Sequence, residues 1–115
     1  MEETFDNWTV QLRKGLLELC VLSAVGAGER YGYELVRALV EARGLEISEG
    51  SIYPLLSRMR KQGWVATRLE ESPDGPARKY YRLTATGRAR LAAMADYYES
   101  LTKAVASLRR HPDKP

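Results

Sequence analysis

The sequence predicts a mainly α chain with one small β-hairpin, and three observations predict it. Three segments carry apolar residues at helical spacing and are separated by glycine. Two alternating segments flank the turn signal Ser72-Pro-Asp-Gly-Pro76. A heptad-like apolar stripe then occupies the last thirty or so residues.

The first helix is expected over 10–27, with Leu12, Leu16, Leu19 and Ser23 on one stripe. Leu17, Val21, Leu22 and Val25 are apolar as well, so this helix is buried or lies between its own domain and a partner. Gly26-Ala-Gly28 ends it. The second helix is expected over 31–43, with Leu35, Val36, Leu39 and Val40 facing the core and Gly44 as its stop. The third runs 48–62, with Ile52, Leu55, Leu56 and Met59 on its apolar face and Gly63 at its end. Ser48 is a good N-cap and Glu49 suits the positive end of the dipole. Pro54 then lies beyond the first turn and leaves the Gly50 carbonyl unpaired; alternatively Ser51 is the cap and Pro54 falls in the first turn, where proline costs little.

Val65, Thr67 and Leu69 share one face of the first hairpin strand, and Tyr81 and Leu83 one face of the second. Thr84 can cap the last helix, expected over 84–110. There Leu91, Met94, Tyr98, Leu101, Val105 and Leu108 follow at spacings of 3, 4, 3, 4 and 3. This stripe follows a domain that can already close its core, so a second copy of the chain is the simplest thing for it to pack on. His111 to Pro115 reads as a polar, frayed tail with a solvated histidine. The element order is that of a winged helix-turn-helix plus a C-terminal dimerisation helix. On that order, residues 1–83 are expected to form a DNA-binding domain, whose N-terminal helix also contributes to a dimer, and residues 84–115 a dimerisation helix and tail.

A chain of 115 residues is one domain by length. No apolar run approaches the ~20 residues of a membrane span, and the acidic start Met1-Glu2-Glu3-Thr4 is unlike a signal peptide. Cys20 is the only cysteine, which excludes an intrachain disulfide and fits a cytoplasmic address. It reads as a small core residue. One histidine, one cysteine, no phosphate loop and no metal spacing leave most catalytic schemes without parts, so neither an enzyme nor a cofactor is expected.

The net charge is only +3, but Arg78, Lys79, Arg82, Arg88 and Arg90 form a run free of acidic residues. Arg58, Arg60 and Lys61 form a second cluster. This distribution points to a polyanion-binding face. In a helix-turn-helix the front of the recognition helix approaches base edges. Here that front is Ser48, Glu49, Gly50, Ser51 and Tyr53, with Arg58 further along and Arg78 and Lys79 on the wing. Trp8, just before the expected first helix, Leu12 and Leu16 within it, and the heptad residues Leu91, Met94, Tyr98, Leu101, Val105 and Leu108 are the expected dimer contacts. Tyr98 lies on the seam, and with Trp8 could line a slot for a planar ligand.

Four segments resemble the PadR family of bacterial transcriptional regulators: Gln11 to Leu19 (QLRKGLLEL), Tyr31 to Leu35 (YGYEL), Gly50 to Leu56 (GSIYPLL) and Arg78 to Gly87 (RKYYRLTATG). The resemblance runs from about Thr9 to Leu108 in order. It implies a homodimeric repressor that binds double-stranded DNA at a pseudo-palindromic operator and is released by a phenolic or other planar aromatic effector. It further implies the short subfamily with one C-terminal helix. Tyr31 and Tyr33 would be backbone-contacting positions, and Ser48, Gly50, Ser51, Tyr53 and Pro54 the front of the recognition helix. Arg78 and Lys79 would be the wing contacts, and Tyr98 would stand where other short members place a stacking aromatic. Two other readings of the same chain are a small-molecule sensor without strong DNA affinity and a winged-helix protein-interaction module.

Overall fold

The computed structural model describes residues 2–110, with side chains from Thr4 onward. The elements in order are α1 (Glu2–Gly26), β1 (Arg30–Tyr31), α2 (Gly32–Glu41), α3 (Glu49–Lys61), β2 (Val65–Ser72), β3 (Gly75–Leu83) and α4 (Ala85–Arg109). The expected tail from His111 lies outside the described residues. No helix of the described chain is long and apolar enough to cross a membrane.

Three helices and the hairpin close one core. Val21, Leu22 and Val25 of α1 meet Leu35, Val36 and Leu39 of α2, and Ile52, Leu55, Leu56 and Met59 of α3. Val65, Tyr81 and Leu83 close it from the sheet. All four predicted apolar positions of α3 are buried. Full burial of each such side chain contributes about 1.5–3 kcal/mol. Val40, expected in the core, is exposed, because the α2 stripe centres on Leu35, Val36 and Leu39 and Val40 falls beyond its edge. Leu69 is exposed as well: β2 continues past the core into the free part of the hairpin.

The sheet has three strands in the order β1-β3-β2, not two. β1 pairs Arg30 with Tyr81 and Tyr31 with Tyr80, and two residues are too few for alternation to show in sequence. α1 begins well before the expected Val10. Phe5, Trp8 and Leu12 extend its apolar stripe, and all three are exposed. Ser48 is the N-cap of α3, which decides the position of Pro54 as interior to the helix. The Ser48 hydroxyl makes no capping bond; instead its carbonyl accepts from the Ser51 amide at 3.1 Å and the Ser51 hydroxyl at 2.8 Å. Pro54 has no N–H to donate to the carbonyl of Gly50, four residues before it, and a Cβ on Gly50 would meet nothing within 4 Å.

Helix α4 is seated on the turn between α3 and β2. The Trp64 amide donates to Met59 O at the end of α3, and Trp64 O accepts the Thr84 amide, each at 3.0 Å. The Thr84 hydroxyl donates to Gly63 O at 2.6 Å and accepts the Gly87 amide at 2.9 Å, capping α4. Gly87 is buried here, and a Cβ on it would overlap the Trp64 carbonyl oxygen and lie 2.8 Å from the carbonyl carbon. Beyond this junction the molecule is extended. Its Cα radius of gyration is 17.6 Å, against roughly 13 Å for a compact chain of about 100 residues.

Gly87→Ala is therefore expected to destabilise the fold by about 2–3 kcal/mol, because backbone must move to admit one methyl group. The midpoint of urea unfolding measures it, and an unchanged midpoint would show that α4 is not seated on Trp64 O.

Candidate nucleic-acid interface

The exposed residues of α3 divide into two flanks by helical spacing. Tyr53, Ser57 and Arg60 face the hairpin and, with Thr67, Lys79 and Tyr81, line a cleft of about 230 Å³. Ser51, Pro54 and Arg58 face α1 and line a second cleft with Lys14 and Glu18. Ser48, Glu49 and Gly50 are exposed at the N-terminal end of the helix, where its dipole is positive. Tyr53 keeps 43% of its surface exposed. Partial burial pushes its hydroxyl pKa up, and Glu49 and Tyr31 add to this.

The two wing cations, expected to act together, point to opposite faces of β3. Lys79 faces the α3 cleft, while the Arg78 guanidinium carbon lies 4.9 Å from the Tyr31 ring centroid. Alternation along a strand dictates this split. Arg58 does not join Lys79: it lies 3.8 Å from Glu18 of α1. Arg60 does join it. The i, i+4, i+7 spacing of Tyr53, Ser57 and Arg60 was the signal that could have selected Arg60. Among the described residues Arg60, Arg78 and Lys79 form no ion pair, whereas Arg68 is held by both oxygens of Glu29 at 2.9 Å and by Glu70 at 2.7 Å. The Arg68 hydrogen bonds hold the Glu29 carboxyl below its usual range. Tyr31 is half-buried at the junction of β1 and α2, and Tyr33 is exposed on α2 with its hydroxyl accepting from Arg37 at 3.0 Å.

The expected dimer residues separate into two groups. Leu91 and Met94 are half-buried and pack on the core of their own chain. Tyr98, Leu101, Val105 and Leu108 are exposed, as are Trp8 and Leu12. Between α1 and α4 runs an apolar groove of about 350 Å³ lined by Leu16, Leu19, Met94, Tyr97, Tyr98 and Leu101. Tyr98 also lines a groove of about 370 Å³ that continues past Leu16 and Leu19 to Cys20, Leu39 and Leu45. Cys20 is half-buried, and burial pushes its thiol pKa up, which favours the unreactive thiol. Trp8 is not part of either lining; it stacks on Phe5 with ring centroids 6.0 Å apart. Among the described residues no three His, Cys, Asp or Glu side chains are placed to hold a metal ion.

Comparison with known proteins places this architecture. Residues 21–93 match the family model of the transcriptional regulator PadR-like family. A PadR-like transcriptional regulator from Bacillus cereus is 39% identical, with 88% of this chain and 98% of that one covered and a TM-score of 0.77. A Streptococcus transcriptional regulator is 43% identical over 87% and 98% of the two chains, with a TM-score of 0.75. A transcriptional regulator of Mycobacterium tuberculosis is 29% identical over 101 residues, which span 88% of this chain and 92% of that protein. With more than half its residues matched and its fold shared along nearly the whole length of these structures, the chain belongs to the PadR-like family of transcriptional regulators.

Proposed function

We propose that this regulator is a homodimeric repressor that grips a pseudo-palindromic operator with α3 and the hairpin of each subunit. Family membership makes the chain a transcriptional regulator and not an enzyme. The observation that carries the reading is the convergence of Arg60 and Lys79 on the cleft beside the exposed front of α3. Neither cation has a carboxylate partner among the described residues, so neither charge is compensated by the protein before it meets phosphate. The α3 front offers Ser48, Glu49, Gly50 and Tyr53 to base edges and backbone, with Tyr33 and Tyr31 behind it. Ser51, Pro54 and Arg58 meet the duplex only along the α1 side of the helix. A winged-helix module that binds protein has no need of such free cations beside its helix, and neither does a sensor that never meets DNA.

Dimerisation is supported by the exposed stripe Tyr98, Leu101, Val105 and Leu108 on α4 and by Phe5, Trp8 and Leu12 on α1. Apolar surface of this extent on a protruding helix pair is covered most simply by the same surfaces of a second copy. A planar aromatic effector fits the groove beside Tyr98, where a ring can stack on the phenol and reach Leu16 and Leu19. A cytoplasmic site of action follows from the same reading, since DNA is there.

Selection of bound duplexes from a random pool tests the function directly: an inverted repeat is expected, and no enrichment would sink the repressor reading. Arg60→Ala and Lys79→Ala should each weaken binding to all duplexes and lower the salt slope of log K by about one. If both leave the slope unchanged, the cleft does not meet phosphate. Leu101→Asp should convert a sedimenting dimer to monomer, since an unpaired buried charge costs about 3–5 kcal/mol. A variant that stays dimeric places the interface elsewhere. A planar phenol that displaces labelled duplex from wild-type protein should fail to displace it from Tyr98→Ala; equal displacement from both would move the effector site away from Tyr98.

A further inference from the structure

A row of mutually tilted rings and guanidinium groups crosses the outer face of the sheet and continues onto α2. The Arg68 guanidinium lies 4.6 Å from the Tyr80 ring centroid, Tyr80 lies 5.9 Å from Tyr31, and Tyr31 lies 6.2 Å from Tyr33. Arg37 completes it, 5.8 Å from the Tyr33 ring. Both end cations are spoken for: Arg68 by Glu29 and Glu70, Arg37 by Glu41. Arg78 is different. It lies over Tyr31 in the middle of the row and forms no ion pair with a carboxylate among the described residues. Glu70, its cross-strand neighbour, gives its carboxylate to Arg68 instead.

An exposed arginine ordinarily samples many rotamers, and freezing it on a ligand opposes binding. A ring beneath the guanidinium removes part of that freedom beforehand. Tyr31 is itself held, by its backbone pairing with Tyr80 and by rings on either side. Arg78 immediately precedes Lys79 on β3, so it stands on the same wing strand that borders the α3 cleft. The planar guanidinium presents a fixed fork of donors that suits two oxygens of one phosphate, which the point charge of Lys79 cannot match.

Resting on the DNA-binding reading above, we infer that Tyr31 is a positioning residue that holds Arg78 ready for a two-point contact with a backbone phosphate. Tyr31 then acts through its ring and through Arg78, without a DNA contact of its own hydroxyl. Lys79, on the opposite face of the strand, supplies charge without that orientation.

The test is fluorescence anisotropy with the full chain, using a labelled duplex enriched from a random pool and the starting pool itself. Tyr31→Phe, which keeps the ring under Arg78, should lose clearly less affinity than Tyr31→Leu. Tyr31→Leu and Arg78→Lys should each bind about tenfold more weakly, the second despite its retained charge. Both losses should be equal for the two duplexes, since phosphate carries no sequence. The double variant Tyr31→Leu with Arg78→Ala should be no weaker than Arg78→Ala alone. Additive losses, a Tyr31→Phe defect equal to that of Tyr31→Leu, or wild-type binding by Arg78→Lys would each overturn the inference while leaving DNA binding intact. A loss confined to the enriched duplex would overturn the phosphate assignment in favour of a base contact. Wild-type protein that binds neither duplex overturns the DNA-binding reading and this inference together. Should Tyr31→Leu lose its circular-dichroism melting transition, Arg78→Lys decides alone.

Discussion

The backbone of Trp64 is the point on which three functional elements are hung. Its amide closes the end of α3 through Met59 O, and its carbonyl receives the Thr84 amide at the start of α4. Its peptide also begins β2 one residue later. The Arg90 guanidinium lies 4.4 Å from its ring and reaches Glu18 of α1 at 3.3 Å. A shift at this residue therefore moves the helix, the wing and the C-terminal helix relative to each other. Only glycine at 87 allows α4 to start so close to that carbonyl. In the proposed dimer, the direction of this helix would set the separation of the two grips, so the tolerance at the junction would be small.

Charge in this molecule is decided by pairing more than by count. A net charge of +3 is a weak attraction for a polyanion. The fold strengthens it locally by spending acidic side chains on chosen cations. Glu29 and Glu70 neutralise Arg68, Glu41 neutralises Arg37, and Glu18 stands between Arg58 and Arg90. These exposed pairs add little stability. Their effect is to leave Arg60, Arg78 and Lys79 as free charges around α3 and the wing. Surface ion pairs of slight energetic weight thus shape the potential that a duplex would meet.

The apolar residues of α4 divide in a similar way between the core of their own chain and solvent. Leu91 and Met94 open the α4 stripe and pack on the core of their own chain, while Leu101 to Leu108 continue it into solvent. One helix serves as both a wall of the domain and a protruding face. Tyr98 lies at the change from one to the other and borders both grooves. A molecule bound there would touch the part of α4 that follows the core and the part that does not, which in the proposed dimer is where a small ligand has most leverage over the angle between the subunits.

Sequence alone determined the helices, the hairpin and most of the core, because helical and alternating periodicities are local and survive without tertiary information. Ile52, Leu55, Leu56 and Met59, the Thr84 cap and the Pro-Gly turn were all legible for that reason. What tertiary structure decided was everything that depends on a distant partner. β1 is two residues long and exists only because β3 lies beside it. Val40 and Leu69 follow the right period but fall where no neighbour covers them. Arg58 and Arg60 are indistinguishable by composition, yet one turns to Glu18 and the other to Lys79. Arg78 and Lys79 are adjacent in sequence and opposite in space, since a strand sends successive side chains to opposite faces and the packing of the sheet against α3 determines which face each one serves.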